Sequence, residues 1–140
     1  LGKEFGARSE DPSCYKNGKV QYERLAALPI FAEGVKRVLD GMKRYNIAFM
    51  CAEKDPLSCH RALLVGRHFY EHGIPTSHIH ANALLESHED MESRLLEACK
   101  LPEGDLFKSR SDYIHDAYLL QGDRVAYQDE SMSQEETVLR

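Results

Sequence analysis

Eleven consecutive residues hold most of the reactive chemistry of this chain: Cys51-Ala52-Glu53-Lys54-Asp55-Pro56-Leu57-Ser58-Cys59-His60-Arg61. Eight of them can ionise, donate, accept or ligate, and two of those are cysteines. Three chemistries compete for such a set. In the first, a thiol beside positive charge is a nucleophile with a lowered pKa, with Cys59 in that role and Cys51, Glu53 and His60 around it. In the second, Cys51, Cys59 and His60 ligate a metal such as zinc, with Glu53 or Asp55 as a fourth ligand. In the third the stretch is structural, with Cys51 buried and His60 packing or capping.

Helix geometry weighs on these readings. Adjacent helical residues point about 100° apart, so Cys59 and His60 diverge if both are helical. Seven residues separate Cys51 from Cys59, which is not the short spacing typical of zinc sites. The thiol reading with an anionic substrate therefore leads, and a phosphate- or carboxylate-binding module without turnover is its alternative. Lys54, Asp55 and Arg61 line the anion side of the site. Arg8, after Gly6, is placed to swing in, and His80 is a candidate base or ligand. His78 and His80 are two apart on one segment and face the same way. For each lone residue the commoner fate is bland: surface charge for Lys and Arg, core packing for His88, Tyr15, Tyr22, Cys14 and Cys99.

The elements around the stretch give it a position. Ile47-Ala48-Phe49-Met50 is a short apolar run ending at Cys51, which predicts a buried parallel strand. Asp55-Pro56 predicts a helix N-cap with Pro at the first turn, and the helix is expected to run through Tyr70 and stop at Gly73. Thr76 to His80 predicts a second strand, completing a right-handed βαβ unit. The reactive loop then leaves a strand's carboxyl end and enters a helix N-terminus, where ligands bind in open α/β sheets. Upstream, residues 1–22 read as a loop with turns at Asp11-Pro12 and Asn17-Gly18. Residues 21–44 read as two helices broken at Pro29. Downstream, helices are expected over 84–100 and 109–120, and a last strand at Val125-Ala126-Tyr127.

The chain has 140 residues with 42% apolar and 29% charged content and a net charge of −5. That predicts one α/β domain over 1–128 and a disordered polar tail over 129–140. The acidic balance excludes a global basic field for nucleic acid, and no apolar run approaches the roughly 18 residues of a membrane span. Four cysteines without a dense disulfide pattern predict a cytoplasmic protein with reduced thiols.

The string Cys51–Arg61 resembles the signature of the DUF488 family, a group of uncharacterised bacterial and archaeal proteins. The opening Leu1-Gly2-Lys3-Glu4-Phe5-Gly6-Ala7-Arg8 is similar to that family's LGxxLGGR segment, from which Phe5 and Ala7 depart. His78-Ile79, Leu106-Phe107 and Arg124-Val125-Ala126-Tyr127 also fit, so the resemblance extends to about Asp129. It implies an α/β fold that has a strand and helix ahead of the opening segment, a unit the present chain would lack. The family is suspected to be enzymatic because of its cysteines, and some members are loosely linked with DNA repair. Arg8, Cys51, Glu53, Lys54, Asp55, Cys59, His60 and Arg61 match the shared motifs, and no roles come with them. The expectation is therefore a small, mostly parallel sheet flanked by helices, with a Cys/His site for an anionic small molecule, a nucleotide or a nucleic-acid end. Zinc is the alternative occupant.

Overall fold

Asn17 and Gly18 both sit at positive φ, 52° and 73°, the pairing that closes a two-residue hairpin. The hairpin joins strand β1 (Tyr15–Lys16) to β2 (Lys19–Val20), antiparallel. Asp11 accepts from the Ser13 N–H and starts a 3-10 turn over Pro12–Cys14. Both turn signals in the opening segment thus hold, and the second proves to be a hairpin. The computed structural model describes residues 7–131 of the chain.

The chain divides into two compact units, Leu1–Met50 with Ala126–Arg140, and Cys51–Val125. The first contains the hairpin, α1 (Tyr22–Ala26) and α2 (Pro29–Met42). Pro29 is at the start of α2, as a residue without a backbone N–H should be. Val20 donates to the Tyr127 carbonyl at 3.0 Å, and Lys19 bridges Gln128. The strand expected at 125–127 does not form: Val125 is helical, Tyr127 only accepts this one bond, and the bridge falls at Gln128. Cys14 and Val20 are buried. The tail expected from Asp129 begins with Asp129 bonded to Gly18; from residue 132 on it lies outside the described residues, as do Leu1–Gly6 of the opening motif.

The run 47–50 forms no ladder, and Ile47, Phe49 and Met50 are exposed. An extended segment is stable as a strand only when a neighbour takes its N–H and C=O groups. The only ladders among the described residues are two antiparallel pairs, β1–β2 and β3–β4. The fold is mixed α/β, and no parallel pair occurs among the described residues.

The second unit holds the reactive stretch. Asp55 caps a 3-10 turn over Pro56–Ser58, as the Asp-Pro signal predicts, but that turn does not run on into a helix. A π-helical turn over Arg61–Gly66 follows and leads into α3 (Arg67–Glu71). Gly73, at φ 78°, ends the segment where expected. Then come β3 (Ser77–Ile79) and β4 (Leu85–Ser87), α4 (His88–Cys99) and α5 (Arg110–Val125).

The helix expected from 84 begins only at 88. Leu84 and Leu85 are exposed, so they do not belong to the apolar face of α4. Ser87 caps α4 by accepting from the Asp90 N–H at 3.0 Å, the Ser-x-x-acid pattern that marks a helix start. Helices α4 and α5 pack around Met91, Leu95, Leu96, Ile114 and Ala117, with Leu63 and Phe69 also buried. Among the described residues no helix is long and apolar enough to cross a membrane.

Candidate functional site

Cys59 decides the geometry of the reactive stretch. It has extended backbone, φ −138° and ψ 135°, between the 3-10 turn and the π-helical turn. His60, at φ −59° and ψ −18°, is the first residue of helical backbone. Cys59 and His60 are therefore not two helical neighbours, and their side chains need not diverge. Ligand atoms of Cys51, Cys59 and His60 all lie within 4.8 Å of one another. The break also lets the Arg61 backbone N–H donate to Cys59 Sγ at 3.2 Å.

The two thiols are not equivalent. Cys59 is buried at 1% exposure, whereas Cys51 is half-buried. Burial pushes the Cys59 thiol up to about 12, and the neighbouring Cys51 sulfur adds to the rise. Burial opposes ionisation of Cys51 as well. Hydrogen bonds from the Cys59 thiol and the Glu53 and Ala52 backbone, with the Arg61 charge, outweigh it and bring Cys51 below the ordinary thiol value. A thiolate is favoured by donors and positive charge, and here both converge on Cys51 rather than Cys59. Burial first, then the Arg61 charge, hold His60 below the usual imidazole value, so it is neutral at pH 7.

Arg61 carries a buried Nη2 with no hydrogen-bond partner among the described residues. A buried guanidinium nitrogen left unpaired costs about 1–3 kcal/mol or more, and an acceptor oxygen reaching it would remove that cost. Glu53 and Lys54 are exposed.

Asp55 has a different task from the one its type suggested. Its Oδ1 accepts from the Leu57 N–H at 3.0 Å and from Arg94 Nη2 at 3.0 Å. Its Oδ2 accepts from Arg94 Nη1, also at 3.0 Å. Arg94 in turn donates Nε and Nη2 to Glu86 at 2.8 and 2.9 Å. His80 Nε2 meets Glu86 Oε2 at 2.8 Å. The Arg94 hydrogen bonds hold Asp55 and Glu86 below the usual carboxylate range, against the effect of burial. This strap ties the reactive loop to β4 and α4. It also engages both Asp55 oxygens, which lie outside the close group of ligand atoms formed by Cys51, Cys59 and His60, and Glu86 in turn engages His80. Arg8 belongs to the first unit, where its guanidinium carbon lies 3.9 Å from the Tyr127 ring centroid.

The core of the second unit contains a polar chain that the sequence did not single out. His78 Nε2 meets His88 Nδ1 at 3.0 Å, and His88 Nε2 meets the Tyr118 hydroxyl at 2.8 Å. Tyr118 donates to Glu92 Oε1 at 3.1 Å. Since the tyrosine proton goes to Glu92, His88 Nε2–H is the donor to Tyr118 and His88 Nδ1 accepts from His78. All four residues are buried. Desolvation holds His78 below its usual value and His88 down to about 3. Gly66 packs against this pair: a Cβ there would stand 3.1 Å from His78 Cε1 and 3.2 Å from the Arg61 carbonyl oxygen. Arg94, Glu86, Glu92 and Tyr118 are thus the residues that sequence spacing missed. Asp55 and Arg94 are 39 positions apart, and no local period links them.

Comparison with known proteins places this geometry in context. The family model described as domain of unknown function DUF488 matches residues 1–67 and supports assignment of the chain to that family. The match includes the whole reactive stretch and stops at Arg67, the first residue of α3, short of the extent that the resemblance suggested. No curated protein and no solved structure matches the chain.

Proposed function

We propose that this chain, assigned to the DUF488 family by the match over residues 1–67, is a cysteine-dependent enzyme acting on a small anionic group. The group is a phosphate or carboxylate, as on a nucleotide or nucleic-acid end. Cys51 is the thiolate nucleophile, and Arg61 with Lys54 holds the anion. His60, neutral and within 4.8 Å of both sulfurs, is the proton acceptor, and Glu53 is the exposed acid or base. The observation that carries the reading is the buried, unpartnered Arg61 Nη2, on a guanidinium whose charge acts on the half-buried Cys51 thiol. A desolvated guanidinium beside a thiolate suits a substrate that brings its own oxyanion. The nucleophile that the sequence favoured, Cys59, is better suited to a supporting part because of its burial.

Competitive alkylation tests this. At neutral pH Cys51 should react with iodoacetamide fastest of the four cysteines. Inorganic phosphate should slow that reaction several-fold, and Arg61→Gln should remove the protection without changing Cys14 or Cys99. Equal, slow labelling of all four, with or without phosphate, overturns the proposal. Phosphate binding that survives Cys51→Ser with no turnover of any phosphate ester would make the chain a binding module instead.

A second reading rests on the same three side chains: Cys51, Cys59 and His60 could hold a zinc ion, leaving one position open. Asp55 is held by Arg94 and is not in that close group of ligand atoms, so the fourth position falls to solvent or substrate. Elemental analysis of purified protein decides it: about one zinc per chain supports the centre, and a trace amount excludes it.

A further inference from the structure

We infer that Cys51 and Cys59 form a redox pair, in which a hydroperoxide oxidises Cys51 and Cys59 resolves it to a disulfide that shuts the site. The inference rests on the reading of Cys51 as the reactive thiol and adds a means of regulating it. Three observations carry it. The two sulfurs lie within 4.8 Å of each other. Their surroundings are asymmetric in the sense the chemistry needs, with a half-buried attacker and a fully buried resolver behind it. The other thiols are shielded: Cys99 is buried with its sulfur 3.7 Å from the Ala117 carbonyl, and Cys14 is buried too.

The steps balance as follows. The Cys51 thiolate attacks one peroxide oxygen, an S–O bond forms, and the O–O bond breaks with its electron pair on the departing oxygen. Solvent protonates that oxygen to an alcohol or water. The sulfur is oxidised by two electrons to a sulfenic acid and the peroxide is reduced by two. Cys59 then attacks the Cys51 sulfur, the S–S bond forms, and the hydroxide leaves as water with the Cys59 proton.

The resolving sulfur has a backbone donor of its own, the Arg61 N–H at 3.2 Å. A reductant reaches the half-buried Cys51 sulfur rather than buried Cys59, so Cys59 is the sulfur that departs, and the Arg61 N–H on its Sγ offsets part of the cost of the charge it takes.

The test is titration of the reduced full chain with hydrogen peroxide, followed by thiol counting and peptide mapping. Two of the four free thiols should be lost, with a mass lower by two hydrogens and a single Cys51–Cys59 cross-linked peptide. Dithiothreitol should restore all four. In Cys59→Ser the sulfenic acid should persist at Cys51 and be captured by dimedone. Overoxidation of Cys51 with Cys59 still alkylatable overturns the inference, as does a cross-link through Cys14 or Cys99. The wild-type mapping stands even if the variant does not fold. Phosphate protection of Cys51, measured on the same sample, separates the two claims. Protection without a cross-link sinks the redox pair alone, and a cross-link without protection sinks the anion reading and leaves the pair.

Discussion

Asp55 and Arg94 show how one residue's task is set by what it meets. A carboxylate in a reactive loop reads as acid, base or ligand. In the folded chain it is both the cap of the Pro56–Ser58 turn and one half of a forked ion pair. Arg94 grips Asp55 with two nitrogens and Glu86 with two, a geometry that a planar guanidinium can satisfy and an ammonium cannot. Arg94→Lys should therefore behave much like Arg94→Ala. Both should lower stability by about 1–2 kcal/mol, a charge-assisted bond discounted for its partial exposure. Both should also raise the pH midpoint of Cys51 alkylation, because a loosened loop no longer aims the Glu53 and Ala52 N–H groups at the sulfur. A midpoint unchanged from wild type would show that the strap supports the fold without positioning the thiol.

At the scale of the element, the π-helical turn is what brings reactive and supporting residues together. Such turns are rare and often mark functional sites. This one follows the break at Cys59 and has Gly66 at its end, against His78, His88 and the Arg61 carbonyl. Gly66 is helical, with φ −60°, so its need is for space rather than for unusual backbone. Gly66→Ala would press a methyl group against buried rings and a carbonyl that cannot easily give way. We expect a loss of about 1–3 kcal/mol, the usual range for overpacking, read from a denaturant midpoint. A neutral outcome would show that the turn re-forms as an ordinary α-helical turn.

Across the whole molecule, the buried titrating groups give stability a dependence on pH. His88 falls from 6.5 to about 3 on folding, and His78 falls too, both mainly through burial. The unfolded chain then binds protons that the native chain refuses, so stability declines as pH drops below about 6.5. Asp55 and Glu86 lose their ion pairs at still lower pH, in the same direction. Glu92 acts with the opposite sign. Its carboxyl is raised mainly by burial, which costs stability as pH rises above 4.5 toward its folded value, and the cost is constant above that. On the alkaline side, Cys59 moves from 9.0 to about 12, so stability falls again once the unfolded thiol ionises near pH 9. Urea midpoints should therefore be highest between about pH 7 and 9. His88→Gln should flatten the decline between pH 6.5 and 5, and an acid limb identical to wild type would remove the histidine pair from the account.

Much of the local structure was legible in the residues. Asn17-Gly18, Asp11-Pro12, Pro29, Asp55-Pro56 and Gly73 mark turns, caps and stops because their backbone preferences are intrinsic and act within a few positions. Ser87-x-x-Asp90 was equally readable, and the exposed Leu84 and Leu85 drew the expected helix too far upstream. The reactive stretch stood out on composition alone. The failures share one cause. Whether 47–50 is a strand depends on a neighbour to take its backbone hydrogen bonds. Whether Cys59 continues a helix depends on the packing that extends it between two helical turns. Which thiol is the more acidic depends on burial and on the N–H groups and guanidinium that converge there. The sequence by itself determined which groups are present and where the chain turns. Only the tertiary structure decided which of them meet, because the Arg94 strap and the His78–His88–Tyr118–Glu92 chain join residues up to 39 positions apart, and such meetings arise from burial of one core rather than from any local period.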